Sequence, residues 1–342
     1  MDIEIKGVKF SYGSKSVLKS LSFKMESGNI VGILGQNGCG KTTLLNCINT
    51  ILKPTGGCVM IDDPGGLGEM DVQRMSSKDL AQHMATVAQT SSTSFPFTVM
   101  EAVKMGRYAQ TRARDASDQD MDVIYNALER VGMLDFIDRN INELSGGELR
   151  RVMIARALVQ EPDVMLLDEP TLHLDINNQF DLMDLMRELV DEKKILVVIV
   201  THDLVLAARY CDQIVLMQKG EVVSIGCCAD VITPENMRDV FFVDAEVSYS
   251  EAIHGLNVFI HGKFKGRGRR GISRRPCWPP SCAPPIPAGC RTCRCRCCLP
   301  GAPPPRTGIP GPTPAPGSGL AGEPDPPRWP SRGLLCSLPG GV

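Results

Sequence analysis

An eight-residue segment near the start of the chain has the composition of a phosphate-binding loop. It reads Gly35-Gln36-Asn37-Gly38-Cys39-Gly40-Lys41-Thr42, followed by Thr43. This fits the pattern G-x-x-x-x-G-K-[ST], in which glycines let backbone N–H groups turn toward phosphate oxygens. A helix that begins at the end of such a loop adds its partial positive charge. The segment therefore predicts a nucleotide site, with Lys41 on the β- and γ-phosphates and Thr42 on Mg²⁺.

Two adjacent carboxylates end a second apolar segment. Residues 164–167 read Val-Met-Leu-Leu, and Asp168 and Glu169 follow directly. At the C-terminal edge of a parallel sheet, Asp168 is placed to bind the shell of Mg²⁺, and Glu169 to face a water that attacks the γ-phosphate. Two neighbouring acids alone are ordinary at the end of a strand. Downstream of a phosphate loop, they indicate the second half of a nucleotide site.

A second Gly-rich turn lies further along the chain. Ser145-Gly146-Gly147-Glu148 stands directly before a helical pattern. A serine at this position is most often an N-cap. Free N–H groups without bulky side chains also form an anion site. Two phosphate-binding turns beside one lysine suggest that each turn binds a different molecule's nucleotide.

The segments around these motifs alternate between strands and helices. Apolar segments without alternation, at residues 30–34, 164–167 and 195–200, are typical of strands buried on both faces of a parallel sheet. Helical patterns lie between them, at residues 42–52, 147–159 and 177–190. This order predicts an α/β fold with a parallel sheet.

Two other regions extend this core. The first twelve residues alternate, with Ile3, Ile5 and Val8 apolar, which is typical of an edge β-hairpin. Residues from about 97 to 143 contain helical patterns and no convincing strand. We therefore expect a helical insertion in the α/β core, within one domain that spans residues 1–263.

Composition separates that domain from the rest of the chain. Residues 264–342 contain 12 basic and 2 acidic side chains, 19 of the 25 prolines and 8 of the 14 cysteines, although the whole chain carries a net charge of −2. This tail shows no hydrophobic periodicity, so we expect it to be disordered. No apolar segment approaches the about 20 residues of a membrane span. We see no signal peptide, and the scattered cysteines of the domain favour a reducing cytoplasm.

Three interpretations of the tail stay open. The basic residues 265–275 could contact acidic phospholipid or nucleic acid. The cysteine-rich residues 290–298 could bind a soft metal, although no histidine lies near them. The codons of the tail's commonest residues are mostly GC-rich, so a frameshift that extends the reading frame would also produce this composition.

Taken together, the motifs resemble those of ABC-transporter ATP-binding subunits, over residues 1 to about 262. The resemblance rests on the order of residues 35–42, Gln89, residues 144–148, Asp168 with Glu169, Asp175 and His202. It implies a P-loop NTPase core with a parallel sheet, an antiparallel β subdomain and an inserted helical subdomain. It also implies two subunits that bind two ATP molecules head to tail, each between one phosphate loop and the other subunit's Ser145 turn.

The resemblance also assigns roles to single residues. It implies that Tyr12 stacks on adenine, that the Asp175 loop crosses the dimer interface and that His202 contacts the γ-phosphate. Gln89 would touch the metal and the attacking water. The implied catalytic residues are Glu169, His202 and Gln89, and the implied ligands of Mg²⁺ are Thr42, Gln89 and Asp168. ATP and Mg²⁺ are the implied cofactors.

One further segment indicates which group of ABC systems the chain resembles. Residues 95–108, from Phe95 and Phe97 to Tyr108, resemble the permease-facing segment of importers of iron–siderophore, haem and cobalamin type. Apolar surface near the two phenylalanines would be a docking patch for a permease. The resemblance implies a peripheral ATPase on the cytoplasmic face of the membrane. Its partners would be a second copy, a multi-span permease and, indirectly, a substrate-binding protein, with no nucleic acid expected.

Two other functions stay open at this point. A soluble ABC ATPase of an assembly or repair complex would share the nucleotide motifs. A nucleic-acid-binding ATPase anchored by the basic tail would show strongly salt-dependent binding that needs residues 264–342. The transported cargo cannot be read from this chain, because it would contact the permease.

Overall fold

The structure is a computed structural model that describes residues 1–63, 68–88, 95–110, 118–172, 174–250 and 255–264. Gln89 and the tail beyond Phe264 lie outside these described residues, and so do the predictions made for them. No helix in the described part is both long and apolar enough to cross a membrane.

Strands and helices alternate along most of the described chain. The strands are β1 (Asp2–Tyr12), β2 (Lys15–Met25), β3 (Ile30–Gly35), β4 (Gly56–Asp63), β5 (Gly68–Asp71), β6 (Met84–Val87), β7 (Val164–Asp168), β8 (Leu196–Val200), β9 (Gln213–Gln218), β10 (Glu221–Gly226), β11 (Val243–Ser250) and β12 (Gly255–Lys263). The α-helices are α1 (Lys41–Ile48), α2 (Ser77–His83), α3 (Val99–Lys104), α4 (Asp118–Arg130), α5 (Gly146–Leu158), α6 (Ile176–Lys193), α7 (Leu204–Tyr210), α8 (Cys228–Val231) and α9 (Pro234–Phe241). Short 3₁₀ helices lie at Val72–Arg74, Met105–Ala109, Leu134–Phe136 and Ile141–Glu143.

The central sheet has the strand order β10-β9-β3-β8-β7-β6. Strand β3 is parallel to both β8 and β9, and β7 is parallel to both β8 and β6. Only the edge strand β10 of this sheet runs antiparallel to its neighbour. All residues of β3, β7 and β8 are buried, as expected for apolar strands covered on both faces. The predicted parallel sheet is confirmed.

Successive side chains of the central strands belong to different core layers. Ile33 and Val198 pack with α1 and the antiparallel sheet, whereas Leu34 and Val197 pack with the helices of the opposite face. This follows from the two-residue period of a strand. The central sheet therefore lies between a β layer and a helical layer.

The antiparallel sheet has the strand order β2-β1-β4-β5. In β1, Ile3, Ile5 and Val8 are buried in the layer shared with α1. Ile3 pairs with Met25 of β2 on one side and with Ile61 of β4 on the other. The antiparallel β subdomain is thus confirmed, and it includes β4 and β5, which sequence analysis did not identify.

The helical insertion leaves and rejoins the core at one point. Thr98 and Asn140 form an isolated antiparallel bridge. Beside it, the N–H of Ile141 donates to the carbonyl of Phe97 at 2.9 Å. Helices α3 and α4 and two 3₁₀ turns lie between these ends. The helical subdomain is therefore confirmed, whereas its exact bounds stay a prediction.

Two features differ from the sequence analysis. The helix after the phosphate loop ends at Ile48 rather than near residue 52, because Thr50 adopts a left-handed φ of +64° that a helix cannot continue. The strand pair β11–β12 was not identified. In the structure, β11 packs against α9 and β12 against α7.

Candidate functional site

The phosphate loop joins β3 to α1 through backbone angles that favour glycine. Gly35 has a φ of +151°, and a Cβ there would lie 2.2 Å from the backbone oxygen of Met217. Gly40 is the N-cap of α1 and offers no side-chain hydrogen bond to the first helical turn. The N–H groups at the start of α1 are therefore open to an anion.

Lys41 is buried beneath this loop and closes it. Its Nζ donates to the carbonyl oxygens of Gly35 at 2.8 Å and Gln36 at 3.2 Å, and the residue is only 6% exposed. A buried ammonium needs partners, and these contacts use two of its three donors. Lys41 is thus fixed within the loop by two backbone carbonyls.

The turn between β9 and β10 supports the loop from a distant part of the chain. The N–H of Gly220 donates to the carbonyl of Cys39 at 3.0 Å, and its own carbonyl accepts from the N–H of Lys19 at 2.8 Å. Gly220 has a φ of +80°, and a Cβ there would lie 2.0 Å from the oxygen of Val17. No local sequence pattern reveals the bond from Gly220 to the phosphate loop.

Cys39 packs against Gly35 inside the loop. Its sequence position raises the hypothesis that thiol reagents inhibit the site. In the structure Cys39 is 5% exposed, and burial raises the pKa of its thiol, with Lys41 acting in the opposite direction. The thiolate is the reactive form, so both observations argue against that hypothesis.

We expect Cys39 to react with iodoacetamide at neutral pH at least about tenfold more slowly than Cys58, which is partly exposed. Timed alkylation of the full chain, followed by mass spectrometry of its peptides, gives both rates. In guanidinium chloride the two rates should converge. Equal rates in the folded chain would contradict the burial of Cys39.

Asp168 ends β7 beside the phosphate loop. Burial raises the pKa of its carboxyl above the ordinary value, although a hydrogen bond from the Thr42 hydroxyl opposes this, and the neighbouring Glu169 raises it further. Oδ1 of Asp168 is buried without a hydrogen-bond partner in the described part of the chain. An orphaned carboxylate oxygen is costly to bury, and a bound cation would remove that cost.

A Mg²⁺ ion fits these residues. Asp168 offers the orphaned oxygen, and Thr42 places a hydroxyl beside the same carboxylate. Among the described residues, no three or more His, Cys, Asp or Glu side chains form a metal-binding group. Mg²⁺ commonly uses one or two carboxylates and completes its shell with water and substrate phosphates. The predicted third ligand, Gln89, lies outside the described residues.

Glu169 and His202 meet at the ends of neighbouring strands. The register of β7 and β8 pairs Asp168 with Val200, and the N–H of Glu169 donates to the carbonyl of Val200 at 2.9 Å. Nδ1 of His202 lies 3.0 Å from Oε2 of Glu169. Glu169 also has a left-handed φ of +47°. Such strain in a non-glycine residue is concentrated at functional sites.

These elements form one cleft of about 610 Å³. This volume lies within the about 300–1,000 Å³ of ordinary small-molecule sites. The described residues that line it are Val17, Asn37, Gly38, Gly40, Lys41, Thr42, Thr43, Glu169, Leu172 and His202. The structure therefore brings the phosphate loop together with residues more than one hundred positions further along the chain.

Tyr12 lies at the end of β1 and is not among the described residues that line the cleft. Its side chain is exposed, and its ring meets that of Phe10 edge-on, with 4.8 Å between the ring centroids. Its stacking on a base stays a prediction.

The second Gly-rich turn begins α5 and does not line the cleft. Ser145 Oγ accepts from the N–H of Glu148 at 3.3 Å, and the Glu148 carboxylate accepts from the N–H of Ser145 at 2.7 Å. This reciprocal pair is a capping box, and it lowers the pKa of Glu148. Gly146 and Gly147 occupy the first helical positions, and apart from the adjoining residues and backbone of α5 no described atom lies within 4 Å of where a Cβ on Gly146 would be. The backbone of the turn is therefore uncovered at Gly146, whereas Gly147 lies beside Leu174.

Asp175 is the N-cap of α6. Its Oδ1 accepts from the backbone N–H of Asn178 at 2.9 Å, and its Oδ2 accepts from the side-chain amide of the same residue at 2.9 Å. Both carboxylate oxygens thus hold the start of the helix. The place of Asp175 at a dimer interface stays a prediction.

Comparison with known proteins identifies a family and several relatives. A family model described as ABC transporter matches residues 18–172. An uncharacterized ABC transporter ATP-binding protein of Methanocaldococcus jannaschii is 39% identical over 260 residues, which cover 76% of this chain and 98% of that protein. The petrobactin import ATP-binding protein FpuD of Bacillus anthracis is 37% identical over 270 residues, covering 78% and 95%. The cobalamin import ATP-binding protein BtuD of Halobacterium salinarum is 40% identical over 258 residues, covering 75% of this chain and 63% of that longer protein.

A solved structure gives the same result for the fold. The dimeric structure of a bacterial ABC transporter cassette aligns with a TM-score of 0.59 and 29% identity, covering 66% of this chain and 98% of the cassette.

Proposed function

This chain belongs to the ABC transporter ATP-binding proteins, and on that premise we propose how its residues hydrolyse ATP for an importer. The family's subunits are ATPases, and those of importers lie at the periphery of a membrane. The observation that carries the proposal is the single cleft shared by Lys41, Thr42, Glu169 and His202. It combines a phosphate cradle with a paired carboxylate and imidazole.

In the proposed reaction, Lys41 and the N–H groups at the start of α1 bind the β- and γ-phosphates. Glu169 accepts a proton from water as that water attacks the γ-phosphorus and the bond to the leaving ADP breaks. His202, 3.0 Å from the Glu169 carboxylate, orients that carboxylate and contacts the γ-phosphate. Most of the rate enhancement comes from positioning and charge neutralisation.

The metal and the remaining predicted ligands complete this assignment. Asp168 and Thr42 would hold Mg²⁺, with Gln89 as the third ligand, and the bound ion would neutralise charge on the phosphate oxygens. The support is the buried, unpartnered Oδ1 of Asp168 beside the Thr42 hydroxyl. Tyr12 would stack on the adenine.

ABC cassettes form dimers, and we assign a head-to-tail arrangement to this one. The Ser145 turn of each subunit would contact the ATP held by the other subunit's phosphate loop. Two observations support this: the turn has uncovered backbone at Gly146, and it does not line its own subunit's cleft. Asp175 would lie where the two subunits meet.

ABC importer subunits work with a membrane permease, and we place this one on the cytoplasmic face. The substrate class we propose is a chelate of the iron–siderophore, haem or cobalamin type. The named relatives for petrobactin and cobalamin import support this choice. A substrate-binding protein would act only through the permease.

The permease would contact the start of the helical insertion. Phe95 is 67% exposed, and its ring lies 5.9 Å from that of Phe97 between centroids. Phe97 is partly buried against the core, so it anchors the segment rather than forming the docking surface itself. Tyr108 is also highly exposed.

We expect Phe95→Ala to reduce recovery of the permease by about tenfold or more, because an aromatic anchor is commonly a binding hot spot. The full chain is used as bait on gently solubilised native membranes, and bound proteins are identified by mass spectrometry. Ile51→Ala is the matched control, since Ile51 is equally exposed but lies next to α1. Recovery of soluble partners alone would contradict the transport assignment. Equal permease recovery by both variants would contradict the docking site.

A further inference from the structure

Arg150 of α5 contacts backbone carbonyls around the cleft. Its Nη2 donates to the oxygens of Asp168 at 2.8 Å and Glu169 at 2.7 Å. Its Nε donates to Pro170 at 3.1 Å, and its Nη1 donates to Ala88. Arg150 is 8% exposed. One buried guanidinium therefore joins the end of β7, the turn after it and the residue before Gln89.

These contacts affect the backbone conformation of Glu169. That residue has the left-handed φ of +47°, a conformation that other contacts must hold in place. Arg150 binds the carbonyls on both sides of the Glu169 peptide, at Asp168 and at Glu169 itself. The planar guanidinium suits such forked contacts, which an ammonium cannot reproduce. Arg150 thus fixes the backbone from which the Glu169 carboxylate projects.

Helix α5 connects these contacts to the second Gly-rich turn. Ser145 is the N-cap of α5, and Arg150 follows five residues later, about 7.5 Å along the helix axis. The capping box between Ser145 and Glu148 makes the turn part of the helix. A movement of α5 as a rigid body therefore displaces the turn and Arg150 together.

Burial and charge keep Arg150 in place. Burial lowers the pKa of its guanidinium, and the carboxylates of Asp168 and Glu169 oppose that shift. An arginine stays protonated in a protein even so. The guanidinium charge therefore attracts the carboxylates of Asp168 and Glu169. Its hydrogen bonds go to backbone carbonyls, so both carboxylates stay available.

We propose that Arg150 is a positioning residue that makes hydrolysis in one subunit's cleft depend on the place of that subunit's own Ser145 turn. This rests on the proposed function, in which the turn contacts the partner's ATP and Glu169 accepts the proton. When the turn engages the partner's ATP, α5 is held in the position in which Arg150 binds the carbonyls of Asp168 and Glu169. Each ATP thereby influences both sites of the dimer.

Steady-state ATP hydrolysis by the full chain tests this coupling. For Arg150→Gln we expect kcat to fall by about 100-fold, as for a small misplacement of a reacting group, while KM for ATP changes by less than about threefold. The Hill coefficient for ATP should fall from above 1 to about 1. Arg150→Lys should recover only part of kcat. Arg156→Gln should behave as wild type, since Arg156 is an exposed arginine of the same helix.

Several outcomes would overturn the inference. The first is a kcat for Arg150→Gln within about twofold of wild type. The second is a Hill coefficient of 1 for the wild type. The third is a fall in kcat accompanied by a higher KM and a lower Tm, which would indicate a merely structural role. Glu169→Gln in the same series separates this inference from the proposed function. Turnover by Glu169→Gln would refute the proton-acceptor assignment. An inactive Glu169→Gln beside a fully active Arg150→Gln would refute the inference alone.

Discussion

Replacing Glu169 with glutamine is expected to lower ATP turnover by at least about 100-fold, the usual contribution of a general base, while ATP binding persists. Glutamine keeps the size of the side chain and can still contact Nδ1 of His202, which lies 3.0 Å from Oε2 of Glu169. It cannot accept a proton from water. The phosphate loop is untouched, so ATP remains bound and holds two subunits together.

Two measurements check this expectation. Phosphate release gives turnover, and size-exclusion chromatography with ATP and Mg²⁺ should show a stable dimer for Glu169→Gln and a transient one for wild type. Glu188→Gln is the matched control, because Glu188 is an exposed residue of α6. Turnover by Glu169→Gln within about tenfold of wild type would mean that another group accepts the proton.

Replacing Lys41 with methionine is expected to abolish the stabilisation of the fold by ATP. A ligand at 100 times its Kd raises the free energy of unfolding by about 2.7 kcal/mol. Methionine fills the buried space of Lys41, which is only 6% exposed, but carries no charge and no donor. The β- and γ-phosphates thus lose the cation that the loop holds in place.

Thermal unfolding with and without ATP measures this loss. Wild type and Lys53→Met, a change at an exposed lysine, should both show a higher Tm with ATP, whereas Lys41→Met should not. The Tm without ATP reports the separate effect of losing the two bonds to Gly35 and Gln36, about 1–3 kcal/mol for unsatisfied carbonyls. The same rise in Tm for Lys41→Met would show that Lys41 does not bind the phosphates.

The metal site and the thiol of the phosphate loop show why a residue's position along the chain does not predict its burial. Asp168 and Thr42 lie on different elements, and only the packing of β7 beside α1 leaves Oδ1 of Asp168 buried without a partner. Cys39 stands in a loop whose sequence gives no sign of burial, yet its side chain packs near Gly35 and is buried. Burial depends on neighbours that are distant in sequence.

The sequence by itself determined the parts whose signals are local. The phosphate loop is a contiguous pattern that works through its backbone, and residues 164–167 and 195–200 are apolar without alternation, as strands buried on both faces must be. The parallel sheet, the antiparallel subdomain and the helical subdomain followed from such patterns and from a family resemblance. Strand β5 was missed because it has only four residues, and β4 and β12 because they lack regular alternation. Strand β11 does alternate apolar and polar residues, so its sequence carried a strand signal that was not used.

Only the tertiary structure decided which residues touch. The bonds from Arg150 to Ala88 and Asp168, and from Gly220 to Cys39, join residues 18 or more positions apart. In each case the acceptor is a backbone carbonyl, which every residue carries. The residue type at that position therefore does not reveal the bond. Hydrogen bonds of this kind depend on how the layers pack around the cleft, and that packing sets the backbone angle of Glu169 and the seat of its carboxylate.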